Sequence, residues 1–203
     1  METSRAARIT IRVLGILRKI LLSSLALLVA GTLFVYLVQR KEAADYYSAL
    51  ESRWESSSVE KDAGQIPPGD IVGWINIPRI GLNSPVVEMA NVDDRENLNK
   101  GPAHLAGTAY PGEEGNCVIA GHRTTYSRPF FKLDDLVEGD AIFLTNVKGS
   151  SFSYVVKWKK IVEPDEVWVM EKSSGKTLTL IACHPLFSAK KRLVVRAEFE
   201  EVH

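Results

Sequence analysis

The sequence is poor in cysteine. Only Cys117 and Cys183 occur among 203 residues, so one disulfide at most could form and a disulfide-stapled scaffold is excluded. Neither a CxxC motif nor a paired Cys/His cluster is present, which argues against a structural zinc site. Net charge is lacking as well, because 25 Lys and Arg balance 25 Asp and Glu. Such a balance does not advertise nucleic-acid binding. No internal repeat is visible. What is present is a chain that is 45% hydrophobic and 25% charged, enough for one domain with a real core plus an appendage.

The average charge hides an asymmetry, with a basic first twenty residues and an apolar second twenty. Residues 20–38, ILLSSLALLVAGTLFVYLV, contain no charge. As a helix at about 1.5 Å per residue they would span roughly 28 Å, close to a bilayer core. Before Tyr36 the polar side chains are Ser23, Ser24 and Thr32, whose hydroxyls can bond back to helix carbonyls, and Gly31 is tolerated in such helices. Arg5, Arg8, Arg12, Arg18 and Lys19 precede the run, whereas Arg40 and Lys41 follow it with Glu42 and Asp45 close behind. The positive-inside rule then places residues 1–19 in the cytoplasm and the chain from residue 40 outside. A cleaved signal peptide fits less well, because the run is long for an h-region and VAGTLF is a poor cleavage site. The expectation is a single-pass signal anchor in the cytoplasmic (inner) membrane.

Residues 39–57 have alternating charge and good helix formers, so the helix should continue for a few turns. SSS at 56–58 and AGQIPPG at 63–69 end it, and Pro67, Pro68 and Gly69 signal a linker. The domain organisation expected is 1–19 basic N-terminus, 20–38 membrane anchor, 39–69 stalk and linker, and 70–203 folded domain. Within 70–203, strand-like runs are expected at 71–77, 80–87, 116–121, 141–145, 153–161, 177–182 and 192–200. A short helix suits 93–99 and a helical turn suits 129–136. Strands at this spacing with little helix argue for a mainly β fold, an antiparallel or mixed barrel.

Two apolar strands end in reactive side chains: VIAGH ends at His122 and TLTLIAC at Cys183. Strand ends hand over from a rigid scaffold to loops, and catalytic groups are often held there. A thiol is a strong nucleophile only as thiolate, which a nearby imidazolium or guanidinium favours. Taken alone, a cysteine at the end of an apolar run is more often a buried structural thiol.

The surrounding stretches change that balance. KTLTLIACHPLFSAKKRLVVRAEF resembles the active-site stretch of sortases, and PGEEGNCVIAGHR resembles their histidine strand. GPAHLAGTAYPGEEGN and FFKLDDLVEGDAIFL are also similar to that family, nearest to its class D-like group, over residues 70–201. The resemblance implies a sortase-like eight-stranded β-barrel with short helices. It implies a cysteine transpeptidase in which Cys183 is the nucleophile, His122 the general acid/base and Arg192 the oxyanion stabiliser. It also implies that Ala120 and Ala182 line the substrate groove. Ala182 stands where threonine is usual, His184 where a tyrosine or acid is commoner, and the loop from Cys183 to Arg192 is short. Implied partners are exported proteins with an LPxTG-like C-terminal sorting signal, a cell-envelope amine as acceptor, and membrane lipid through the anchor. No cofactor and no metal is required.

Other side chains compete for these roles. His184 adjoins the cysteine, but in a continuing strand it should face away from the thiol's site. His104 is expected in a loop or groove wall, His203 at an exposed terminus. Alternation puts Cys117, Ile119 and Gly121 on one face and Val118, Ala120 and His122 on the other, so Cys117 belongs to the core. Arg196 could share the face of Arg192. Trp158 and Trp168 are expected in barrel packing or as surface shelves. Glu163, Asp165 and Glu166 form an acidic loop, too few ligands by themselves for calcium. An L,D-type transpeptidase shows its histidine before the cysteine in an SHGC-type run, and a papain-like peptidase has its cysteine before its histidine, so neither fits. A membrane-anchored, non-catalytic β-barrel that binds a peptide or assists envelope assembly is the remaining alternative. It requires Cys183 to be deeply buried and unreactive.

Overall fold

The computed structural model describes residues 2–56 and 66–201. Ser57, Ser58, residues 63–65 of the linker and His203 lie outside the described residues. The chain divides into two units, Met1–Lys41 and Glu42–His203.

One helix, α1 (Glu2–Ser56), includes the whole apolar run. Leu14–Lys41 is long and apolar enough to cross a membrane. Its hydroxyls are internally satisfied: Ser23 Oγ donates to the Ile20 carbonyl at 2.8 Å, Ser24 Oγ to Leu21 at 2.9 Å and Thr32 Oγ1 to Val29 at 2.9 Å. These three hydroxyls are thereby hydrogen-bonded within the helix, the condition for a polar group in hydrocarbon. The helix runs through residues 39–56, further than a few turns.

Eight strands follow: β1 (Ile71–Ile77), β2 (Leu82–Met89), β3 (Ala103–Leu105), β4 (Gly115–Ala120), β5 (Ala141–Asn146), β6 (Ser151–Val162), β7 (Lys176–His184) and β8 (Lys191–Phe199). They close into a barrel in the order β1-β2-β3-β4-β7-β8-β6-β5. The β2–β3 and β4–β7 pairs are parallel and the others antiparallel. The barrel is therefore mixed. A six-residue helix, α2 (Arg95–Lys100), lies between β2 and β3. It is capped by Asp94, whose carboxylate accepts from the Asn97 amide at 3.2 Å and from the Ala90 amide at 2.9 Å. Those bonds, the Ala90 one first, hold the Asp94 carboxyl below its usual range.

Alternation sorts the side chains. Ile75, Ile77, Val86, Cys117, Ile119, Leu178, Leu180, Ala182, Leu193, Val195 and Ala197 fill the interior. Residues of the opposite parity on β4, β7 and β8 face outward, where Ala120 packs beside Val87, Met89 and Ala103, and Ile181 beside Val162, Val169 and Val194. The 3-10 turn Val167–Met170 covers part of that outer face. It is pinned by the Val169 carbonyl, which accepts from Asn116 Nδ2 at 3.1 Å and Arg196 Nη2 at 3.0 Å.

One expectation fails here. His104 is not a loop or groove-wall residue; it sits in β3, fully buried. Its Nδ1 lies 2.6 Å from Glu88 Oε2, its register partner on β2. Its Nε2 lies 3.0 Å from the Ala109 carbonyl. A histidine with an acceptor at each nitrogen suits the doubly protonated ring. Burial alone would pull its pKa down, but hydrogen bonds to Cys117 and Glu88 and their charges push it up to about 10.

Candidate active site

Three neighbouring chains of the barrel carry the reactive side chains to one level. β4 runs parallel to β7 with Ala120 opposite Ile181, and the Gly121 amide donates to the Ile181 carbonyl at 3.0 Å. Continued two residues past that pair, the register would bring His122, which lies just beyond β4, level with Cys183. On the other side of β7, Cys183 stands opposite Arg192 of β8. Because Ala182 and Leu193 point inward, Cys183 and Arg192 point outward, and paired residues share that face.

Local packing fixes His122 just past the end of β4. Its carbonyl accepts from the Phe130 amide at 3.0 Å. A Cβ on Gly121 would lie 2.6 Å from the Phe130 ring, so this approach requires glycine. His122 Nε2 is 2.8 Å from Asn99 Oδ1, on α2. A carboxamide oxygen only accepts, so in this arrangement Nε2 carries the proton and Nδ1 is the basic atom. Tyr126 stacks on the ring at 5.1 Å.

Burial first, and then the positive charge of Arg95, hold the His122 pKa below its ordinary value. The neutral imidazole therefore prevails at neutral pH and is ready to take a proton. Arg95→Gln removes the charge and should move the His122 titration upward, toward the ordinary histidine range. Observation of the His122 Cε1–H by NMR across pH 4–9 checks this; an unmoved midpoint means that Arg95 does not reach the ring.

Cys183 is half-buried and unpaired, whereas Cys117 is deeply buried in the interior. Arg192 Nη1 donates to the Ala189 and Lys191 carbonyls at 2.8 and 3.1 Å, fastening the guanidinium at the β7–β8 connection. Arg196, on the same face, is committed elsewhere. It bonds Thr177 Oγ1 at 3.1 Å and the Val169 carbonyl at 3.0 Å, and lies over the Trp158 ring. Trp158 and Trp168 form a tilted pair with ring centroids 6.0 Å apart and Lys160 over both, an outer shelf. The acidic loop has local tasks: Glu166 accepts from the Glu163 amide and from Trp168 Nε1, and Glu163 pairs with Lys191 at 2.8 Å.

Ala182 is the second expectation that fails. Its methyl group is 3% exposed and packed in the barrel interior. As the residue before the nucleophile it occupies the opposite face of β7, so its side chain does not line a groove beside the thiol. Ala120 has the outward parity of His122 and is half-buried. His184 turns away from the outward face of Cys183 and meets Arg123 instead, Nδ1 to Nη1 at 3.3 Å. Asn99, Arg95 and Arg123 escaped the reading of the sequence. Nothing in a polar helix, or in a charge beside His122, marks them before their distant partners are known.

A family model described as "Sortase domain" matches residues 75–200. Sortase D of Bacillus subtilis is 30% identical over 159 residues, covering 76% of this chain and 74% of that protein. SrtE1 of Streptomyces coelicolor is 27% identical over 169 residues, covering 76% of this chain and 47% of that protein. Among solved structures, a sortase D5 transpeptidase of Clostridium perfringens superposes with a TM-score of 0.62 at 26% identity, over 82% of this chain and 99% of that one. A Clostridium perfringens sortase C, solved with the C-terminal cell wall sorting motif, gives 0.61 at 29%, over 81% and 88%. The closed barrel is that of a cysteine transpeptidase family, and the chain belongs to the sortases. The likeness to Sortase D fits a class D-like member.

Proposed function

We propose that this sortase is an active, membrane-anchored transpeptidase. The observation that carries the reading is the direct pairing of Cys183 with Arg192 across β7 and β8, with His122 two residues past the Ala120–Ile181 pair of β4 and β7. The half-buried state of Cys183 supports it over a non-catalytic barrel, which needs that thiol deeply buried.

In the proposed reaction His122 takes the thiol proton of Cys183, and Sγ, as thiolate, attacks the threonine carbonyl of an LPxTG-like pentapeptide near a substrate's C-terminus. The Arg192 guanidinium stabilises the oxyanion through charge-assisted hydrogen bonds. The C–N bond breaks, His122 gives a proton to the departing amine, and a thioester remains. A cell-envelope amine then attacks the thioester, losing its proton to His122, and the thiolate leaves with an amide formed. Water in place of the amine yields the free acid. Ala120 is retained as a groove residue; no metal or cofactor enters. α1 anchors the chain in the cytoplasmic membrane with its basic end inside and the barrel outside, where exported substrates with hydrophobic tails pause. The domain limits follow the same reading, with the anchor at 20–38, stalk and linker at 39–69, and the catalytic domain at 70–203.

Arg192→Ala should lower kcat on an LPxTG peptide about 100- to 1000-fold, with a smaller change in KM. Steady-state kinetics of the detergent-solubilised full chain tests this. A variant that keeps wild-type kcat removes Arg192 from the chemistry.

A further inference from the structure

The residue after the histidine and the residue after the cysteine are joined to each other. Arg123 Nη1 lies 3.3 Å from His184 Nδ1. Arg123 Nη2 lies 2.6 Å from Asp134 Oδ1 and 3.4 Å from the Phe131 carbonyl. The Arg123 side chain is 1% exposed, and Asp134, in the 3-10 turn Leu133–Asp135, is half exposed. The Asp134 carboxyl resists burial's upward pull and is held below its usual range by Arg123.

Stability does not account for this arrangement. Arg123 Nε is buried without a hydrogen-bond partner. A desolvated guanidinium with an orphaned donor is costly, and an apolar side chain of similar volume often serves a core as well or better. The mechanism above gives Arg123 and His184 no chemical step. Both nonetheless are chain neighbours of a reacting residue, on two segments that the Gly121 amide also joins through the Ile181 carbonyl.

We propose that Arg123 and His184 are positioning residues, a brace inside the outer face that sets the separation of the His122 imidazole and the Cys183 thiol. Asp134 orients the guanidinium, and the guanidinium holds the end of β7 against the turn that follows β4. A guanidinium has only donors, so the Nδ1 of His184 must be the acceptor and the ring must be neutral with its proton on Nε2. The charged groups around His184 are Arg123, Asp134 behind it, and Lys191, its register partner on β8, which pairs with Glu163.

The role assigned to the brace rests on the transpeptidase reading, but its geometry can be tested without a peptide. The full chain is compared with His184→Phe, His184→Asn, Arg123→Met and the Arg123→Met/His184→Phe double variant. Two measurements are made: the pH dependence of Cys183 alkylation by iodoacetamide, mapped by mass spectrometry, and kcat and KM on an LPxTG peptide. His184→Phe should shift the alkylation profile and lower kcat about tenfold or more while KM stays within about twofold. His184→Asn, whose Oδ1 can stand in for Nδ1, should rescue both. The double variant should be no worse than the poorer single one. Folded His184→Phe and Arg123→Met proteins with wild-type profile and kcat overturn the proposal. So does a His184→Asn variant as impaired as His184→Phe, which would mean a requirement for ring volume alone. If the wild type cleaves no sorting peptide yet the alkylation profiles separate as stated, the transpeptidase reading fails and the brace stands.

Discussion

Replacing Cys183 by alanine is expected to lower the cleavage of a sorting-signal peptide about ten-thousandfold or more, to the level of background hydrolysis. The size of the effect follows from what the thiol does. It is the atom that forms the bond, and without it the remaining groups can only orient a peptide and polarise its carbonyl. No other side chain can substitute. Cys117 is in the barrel interior, two-fold separated from the site by parity and by burial, and His184 is turned to Arg123. Cys183→Ser tests the same point more finely, because a hydroxyl at that place lacks the thiol's acidity and should recover little. The assay is release of a fluorescent C-terminal fragment by the full chain in detergent. Cleavage by Cys183→Ala at more than a few per cent of the wild-type rate would remove the nucleophile from the account.

The second large effect concerns stability. Glu88 and His104 are an ion pair inside an otherwise apolar barrel, each no more than 1% exposed. Tyr110 stacks on His104 with ring centroids 4.8 Å apart, and its hydroxyl donates to Glu88 Oε1 at 3.4 Å. Removing one partner strands the other charge, so His104→Leu should cost about 3–5 kcal/mol at pH 6. Glu88→Gln retains a hydrogen-bond acceptor beside the ring and should cost less. The pH dependence has a definite sign. The folded pKa of His104, about 10, lies above its unfolded value of 6.5. The stabilisation is therefore complete below pH 6.5 and is lost as pH rises toward and through 10. Wild-type Tm should fall across that window more steeply than that of His104→Leu. Thermal melts of both proteins at pH 6, 8 and 10 measure it, and parallel curves would mean that the pair does not carry the charge assigned here.

The sequence made some elements legible and hid others for physical reasons. Strands of six or more residues with apolar runs, such as β1, β4 and β8, announce themselves by composition and punctuation. β3 has three residues, too few for alternation to register, and it lies directly after Pro102 in a stretch that reads as loop. His104 was misplaced with it, because a histidine beside proline and glycine gives no sign of a glutamate 16 residues away. Ala182 departs from the resemblance for another reason. The period of two that places Cys117 in the interior also sends the neighbour of Cys183 inward, whatever the resemblance implies. The pairing of Cys183 with Arg192 was readable as a motif, but their direct opposition across β7 and β8 depends on register, which a single sequence does not state. Asn99 and Arg123 were invisible because their partners are 23 and 61 residues distant.

The central claim is that Cys183 of this sortase forms a thioester with a sorting signal. The direct measurement is intact-protein mass spectrometry of the full chain, quenched in acid within seconds of mixing with an LPxTG peptide and then mapped by proteolysis. The account predicts an added mass equal to the peptide up to its threonine, located on Cys183, lost with hydroxylamine and absent from Cys183→Ala. Peptide cleavage with no such adduct, or an adduct on Cys117, would contradict it.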